Sequence, residues 1–312
     1  MSDPTRHENT AAVATANQPA GETEQRESKT AEASLWADAW RSLRRNPWFI
    51  FSAILLLILI TMAVFPQLFA THEPRECFLG RSRQTPSAEH WFGTDIQGCD
   101  YFTRVIYGAR ASITVGILVS IGVFIIAVLI GLLAGYFGKA VDSVLSRITD
   151  MVFAVPFILG ALVFLNVIES RGVREVAFVL IVFTWPTMAR LMRGSVLSVV
   201  NSEFVMAARA LGAGHMTIMR RHILPNSLGP VIGYATVFIG IIIGAEATLT
   251  YLGVGLQLPA ISWGLQLSDA QGYLTSLPHL LVFPMIFVAL TVFAFMTLGD
   301  AVRDAIDPKS KR

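Results

Sequence analysis

The chain has 312 residues, of which 54% are hydrophobic and 15% charged, with a mean hydropathy of +0.58. Apolar content this high, arranged in long runs, excludes an ordinary soluble domain and indicates a membrane protein. The net charge of +2, with basic residues spread along the chain, excludes the basic stripe of a nucleic-acid binder.

Residues 1–34 are rich in Ala, Thr, Glu, Gln and Ser without apolar periodicity. They cannot bury enough surface to offset their ordering entropy and are expected to form a disordered tail. They also lack the apolar core of a signal peptide. Residues 35–47 read as an amphipathic surface helix, with Trp36, Trp40 and Leu43 on the membrane and Arg41, Arg44 and Arg45 beside them. The first transmembrane helix is expected over 48–70, long enough to cross about 30 Å of hydrocarbon. A loop at 71–110 holds both cysteines, Cys77 and Cys99. The core over 111–301 carries five further spans. The first, 111–136, has Gly131 and Gly135 placed for close helix contact. Spans at 144–168, broken by Pro156, and at 177–197, with Pro186 inside, come next. The last two are 228–250, with a second small pair at Gly240 and Gly244, and 279–301. A polar tail fills 302–312. The expected fold is all-α, with about six transmembrane helices.

One polar stretch, 201–226, interrupts the apolar runs and reads as helix, break, helix. Asn201 or Ser202 caps the first helix, with Glu203 in its first turn. Phe204, Ala208 and Leu211 recur at helical spacing as one apolar face. Gly212 and Gly214 stop that helix by taking left-handed backbone angles. The second helix puts Met216, Met219 and Ile223 on one face, beside Arg220, Arg221 and His222, and Pro225 ends it. The bland reading is an amphipathic connector between spans. The sharper one is a knob rooted in the membrane at both ends and offered to a soluble partner.

Lys and Arg in the short loops set the orientation. The side holding Arg41, Arg44, Arg45, Lys139, Arg147, Arg190, Arg193, Arg209, Arg220, Arg221 and the C-terminal tail has about twice as many as the other, so it is cytoplasmic. Both termini and the 201–226 knob then face the cytoplasm, and the cysteine loop faces out. As the only cysteines, in one segment on an oxidising side, Cys77 and Cys99 are expected to form a disulfide; two free thiols are the alternative.

Catalytic signatures are missing. GLLAGYFGKA lacks the spacing of a phosphate-binding loop and ends an apolar span, and His72-Glu73 is followed by Pro74, which prevents a zinc-binding helix. No nucleophile, metal site or cofactor is indicated, so the chain is not expected to be an enzyme. Glu246 is the clearest charge within a span. It lines a translocation path or is a neutral, hydrogen-bonded carboxyl. Asp150 and Asp300 lie near span ends and read as capping or pairing locally.

Two motifs carry a family resemblance. ALG, a short helix and HILPN, with Ala207, Ala208, Gly212, His222, Leu224, Pro225 and Asn226 in place, resemble the EAA loop of importer-type ABC permeases. Met206 departs from the pattern, standing where that family commonly carries an acidic residue. HWFGTDIQGCDYFTRVIYGARAS, from His90 to Ser112, resembles the GTD-x-x-G-x-D…YGAR-x-S signature of the second permease type of dipeptide, oligopeptide and nickel importers, with Cys99 where arginine is usual. LLAGYFGKAVD, DMVFAVPF, YLGVG, SWG and LGDAVRDAIDP extend the likeness over nearly the whole chain after Ser34. A GTD loop at a helix start is also plain capping chemistry.

The resemblance implies a type I ABC importer permease in the cell membrane. Its implied partners are a homologous second permease, two ATPase subunits that use ATP and Mg, and an external substrate-binding protein. It places ATPase coupling on Phe204, Ala207, Ala208, Leu211, Gly212, Met216, Met219, His222 and Pro225. Small peptides are the implied substrate, with nickel or a peptide-like solute such as glutathione as the alternative. An ion-coupled secondary transporter would need several buried charges and repeated half-chains with broken helices, and an intramembrane hydrolase would need a nucleophile or metal ligands.

Overall fold

The structure, a computed structural model, describes residues 40–41 and 43–306. The tail at 1–34, the start of the surface helix at 35–39 and residues 307–312 lie outside the described residues. Trp40, Arg41 and Leu43 are helical, and the Arg44 guanidinium lies 4.7 Å from the Trp40 ring centre. Among the described residues the chain is helical, with no β-strand.

Helix α1 spans Pro47–Val64. Asn46 caps it, its side-chain oxygen accepting from the N–H of Trp48 at 3.0 Å and of Phe49 at 3.4 Å, and Pro47 occupies the first turn, where no N–H is needed. The helix stops at Val64, short of the expected Ala70. Phe65 precedes Pro66 and is pushed to φ −122°, ψ 60°, and a 3₁₀ turn at Pro66–Leu68 follows. Arg110 donates to the carbonyls of Ala63 and Val64 at 3.0 and 3.1 Å, satisfying the acceptors that this stop exposes.

Helix α2, Tyr101–Phe137, begins ten residues before the expected span because Asp100 caps it; its 37 residues run about 55 Å, well beyond the hydrocarbon thickness. Gly138, at φ +59°, closes it. Helices α3, Lys139–Ala154, and α4, Phe157–Val167, meet at 78° across Val155-Pro156. Val155 is held extended by the following proline, and the 11 residues of α4 reach only about 16 Å, too short to cross alone. Helix α5 is Val173–Val199, with Pro186 inside; α6 is Glu203–Ala210; α7 is His215–Tyr251; α8 is Trp263–Ala270; α9 is His279–Ile306. Among the described residues five helices are long and apolar enough to span a membrane, or six if the α3–α4 pair counts as one span.

Helix α2 is the axis of the molecule because it packs into two cores. On one side Val115, Val119 and Val123 meet Leu180, Met188 and Met192 of α5 and Phe238 and Ile242 of α7. On the other, Val105 and Ile113 meet Leu56 and Leu59 of α1, Trp263 of α8 and Phe295 of α9. The α2–α5 approach depends on glycine. A Cβ at Gly131 would lie 2.6 Å from Met192 Cβ, and one at Gly135 2.7 Å from Val196 Cβ. A Cβ at Gly240 would likewise meet the backbone of α9, 3.0 Å from the Val292 carbonyl oxygen, whereas one at Gly244 would make only ordinary contact, 3.9 Å from Val292 Cγ2. The outer faces of α1 and α4 expose Phe51, Ile54, Leu57, Leu159, Val163 and Phe164, a surface suited to lipid rather than water.

Candidate functional site

The 201–226 segment folds as α6, a glycine turn and the opening of α7. Ser202 takes the N-cap backbone conformation, φ −70° and ψ 154°, but its hydroxyl donates to the Val199 carbonyl at 2.7 Å instead of accepting from the helix. Glu203 is therefore the group that complements the helix dipole. The face α6 buries is Val205 and Ala208; Phe204, Ala207 and Leu211 point outward, so Phe204, Ala208 and Leu211 do not share the packed face expected of them. The helix ends in a Schellman turn: Ala213 N–H bonds the Ala208 carbonyl at 3.0 Å, and Gly212 N–H bonds that of Arg209 at 3.0 Å. That geometry puts Gly212 at φ +82°. Gly214 has no part in the stop. Its φ of −68° and ψ of 156° make it the N-cap of the next helix.

In the opening of α7, Ile218, Met219 and Ile223 are buried, His222 is half-buried, and Met216 and Pro225 are exposed. Pro225 does not end this helix, contrary to expectation. Residues Ile218–Ile223 form π-helical turns, and Pro225 falls in the first turn of the α-helical stretch Leu224–Tyr251, where its missing N–H costs little. The second half of the knob is thus continuous with a membrane-length helix. The knob is also tied to the end of α2. Tyr136 Oη lies 2.7 Å from His215 Nδ1, and the Arg209 guanidinium stands 5.8 Å from the Tyr136 ring centre. What remains outward, covered by no core among the described residues, is an apolar set: Phe204, Met206, Met216 and Leu211, the last 87% exposed.

At the opposite end of α2, residues 71–100 form a cap. Cys77 and Cys99 are joined in a disulfide, with Cα atoms 4.1 Å apart. Asp95 Oδ1 accepts from the N–H groups of Gln97 at 2.8 Å and Cys99 at 2.9 Å, while Oδ2 pairs with Arg104. Asp100 accepts from Thr103 N–H at 2.8 Å, capping α2, and also holds His90 Nδ1 at 2.8 Å. The side-chain cap of α2 is thus Asp100; of the GTD segment, Asp95 holds the turn before the helix and only the Gly93 carbonyl, accepting from Tyr101 N–H at 3.0 Å, meets the helix start. Helix α8 seals this end: Trp263 Nε1 donates to the Val105 carbonyl at 2.9 Å and Gln266 Nε2 to that of Arg104 at 2.6 Å. Burial pushes the Asp269 carboxyl of α8 above the usual carboxylate range, with Arg104 pulling it back and Asp95 pushing it further up.

The family model described as binding-protein-dependent transport system inner membrane component matches residues 127–312. The chain belongs to this family. The model for the N-terminal TM domain of oligopeptide transport permease C matches residues 34–86 of the permease. It is 38% identical over 91% of its length to the dipeptide transport system permease protein DppC of Bacillus subtilis, covering 89% of that protein. It is 36% identical to the oligopeptide transport system permease protein OppC of the same organism, over 89% and 91% of the two chains. With the glutathione transport system permease protein GsiD of Escherichia coli the figures are 38%, 88% and 91%. In fold it is similar to a chain from the inward-facing MetNI methionine ABC transporter, with a TM-score of 0.54 at 21% identity, covering 65% of the permease and 96% of that chain. It is a multi-pass inner-membrane protein of type I importer permease fold.

Glu246 of the permease is fully buried on α7. Its Oε1 accepts from Thr250 Oγ1 at 2.9 Å, and Thr250 Oγ1 also accepts from Leu256 N–H at 3.1 Å. Ser112 of α2 borders the same carboxyl and accepts from Trp263 N–H at 3.4 Å. The carboxyl therefore sits in a polar knot joining α7, α2 and α8. Asp150 does not pair locally: it meets Arg190 of α5 at 2.8 Å. Beside it Arg193 grips Asp142 of α3 with two bonds of 2.5 and 2.7 Å, and Asp150, Arg190 and Arg193 line a cavity of about 280 Å³ between α2, α3 and α5. No sequence signal joins residues 51 apart on different helices, so this pair was legible only in the fold.

Proposed function

We propose that this permease is one of two homologous membrane subunits of an ATP-driven importer of peptides, and that 201–226 is its contact with the ATPase subunits. The observation that carries the reading is the outward apolar set Phe204, Met206, Leu211 and Met216, presented by a glycine-turned helix pair whose second member continues into a spanning helix. A short amphipathic helix of this kind fits a groove on a soluble partner, and its rigid continuation into α7 carries displacement of the groove to the membrane. Ala207, Gly212 and Pro225 lie on the accessible side with these residues; Ala208 and Met219 act from beneath, holding the knob to the bundle, with His222 at its edge.

Family membership and the dipeptide, oligopeptide and glutathione systems named for its relatives support a peptide or peptide-like substrate. In this reading the positive-rich side with the knob and both termini is cytoplasmic, and the disulfide cap faces the substrate-binding protein. The two ATPases, with ATP and Mg, work below, and the second permease completes the pathway. The test is co-expression of the permease with its importer partners in vesicles. Peptide uptake that needs both ATP and this chain is expected, with no ATP hydrolysis by the purified chain alone. Hydrolysis by the uncontaminated chain, or uptake unaffected by its removal, overturns the proposal.

A further inference from the structure

His72, His90 and Asp100 come from three separate segments: the turn after α1, the middle of the cap and the N-cap of α2. Their ligand atoms lie within 4.8 Å of one another, with Asp100 Oδ1 2.8 Å from His90 Nδ1 and 3.7 Å from His72 Nδ1. The two imidazoles are 5.0 Å apart, centre to centre. Four-coordinate zinc, at about 2.0–2.1 Å from each donor, needs donors about 3.3 Å apart. The triad reaches that if His90 and Asp100 part by about 0.5 Å and the His72 ring moves in by up to about 1.5 Å, His72 being the ligand with most room, its side chain 34% exposed.

The surroundings hold these groups in place. Asp100 Oδ2 is fixed by Thr103 N–H at 2.8 Å and Thr71 Oγ1 at 3.4 Å, leaving Oδ1 for the triad. The His72 backbone N–H bonds Thr103 Oγ1 at 3.2 Å, and His90 is anchored through its own N–H to Ser87 Oγ at 3.1 Å. His90 Nε2 is buried without a protein partner, and His72 Nδ1 lies 3.0 Å from Thr71 Oγ1, a contact that the metal would displace, so Asp100 is the ligand whose supporting bonds are in place. Two neutral imidazoles and one carboxylate form a donor set with net charge −1, suited to a borderline divalent ion such as zinc, with water in the fourth position.

We propose that His72, His90 and Asp100 form a zinc site that staples the end of α1 to the start of α2. Zinc takes the place of the hydrogen between His90 Nδ1 and Asp100, the imidazole carrying its one proton on Nε2 and so staying neutral, and the exposed edge of His72 is the way in for the ion. The site lies apart from the knob and does not depend on the transport reading. The test uses the full-length, tag-free permease in detergent, titrated with zinc chloride in non-reducing buffer so that the disulfide supplies no thiolate. Zinc per chain is measured by elemental analysis after dialysis, and melting temperature is followed in parallel.

His72→Ala, a change at a partly exposed side chain, is expected to bind one fewer zinc per chain and to lose the zinc-dependent rise in melting temperature. Its affinity at this site should fall by more than the roughly 10–100-fold caused by losing an outer-shell partner. Without zinc it should melt near the parent chain, which separates ligand loss from misfolding. His279→Ala, outside the triad, should keep the full zinc content. Equal zinc content in His72→Ala and the parent, or no zinc retained by the parent, overturns the proposal.

Discussion

Replacing Gly212 with valine perturbs the knob through its backbone and not through crowding. The residue stands at φ +82°, and a Cβ built there meets nothing within 4 Å. The cost is therefore that of forcing an L-residue into the left-handed region, about 1–2 kcal/mol, and more for a β-branched side chain. Relief comes by giving up the two Schellman bonds from Gly212 and Ala213, after which α6 no longer turns back and Leu211 and Phe204 leave their positions. A penalty of that size shifts the balance between turned and unturned knob by about 5–30-fold. The spans are untouched, so Gly212→Val should insert and purify as the parent does while retaining less ATPase on co-purification and transporting less. Asparagine tolerates this conformation best among the other residues, so Gly212→Asn should recover much of both. Normal assembly and uptake in the valine variant refutes the coupling role. Equal damage from valine and asparagine refutes the backbone argument.

The remaining predictions concern the cap, the α2–α5 seam and the partner surface. Changing Cys77 and Cys99 together to serine should cost about 3 kcal/mol on the chain-entropy model for a separation of 22 residues, read as a lower melting temperature. Non-reducing mass spectrometry should find no alkylatable thiol in the native protein. Gly131→Ala and Gly194→Ala should have opposite signs. The first drives a Cβ to 2.6 Å from Met192 and 2.8 Å from the backbone of Ala189 and Arg193, costing about 1–3 kcal/mol; the second meets open space on a helix and should gain up to about 1 kcal/mol in thermal melts. Met206 is 52% exposed, so Met206→Glu should leave the melting temperature unchanged; if it also weakens ATPase co-purification, the partner groove there is apolar, and unaltered assembly places Met206 outside the contact.

Much of this protein was legible in the sequence because the properties involved are local. Apolar run length reports membrane crossing residue by residue, so the spans around 111–136, 177–197, 228–250 and 279–301 were visible without a fold. Pro156 broke its span because it constrains the residue before it, and Gly212 closed α6 because only its own φ is at stake. With two cysteines in one loop, the disulfide partner was a matter of counting.

Tertiary packing decided the rest. Eight residues give α6 barely two turns, too few for periodicity to choose between Phe204 and Val205 as the buried side, and the floor formed by α5 and α7 made that choice. Pro225 looked like a stop because proline usually is one; the π-helical turns before it absorb its lost hydrogen bond and let α7 run on. For Glu246 the sequence left a pathway residue and a hydrogen-bonded carboxyl both open, and Thr250, one turn on, was a local partner, but only folding brought Ser112 of α2 beside it. The same holds for Asp142 with Arg193 and for His72, His90 and Asp100. Each pairing joins side chains on different segments, and the chain's local chemistry carries no record of which segments will lie together.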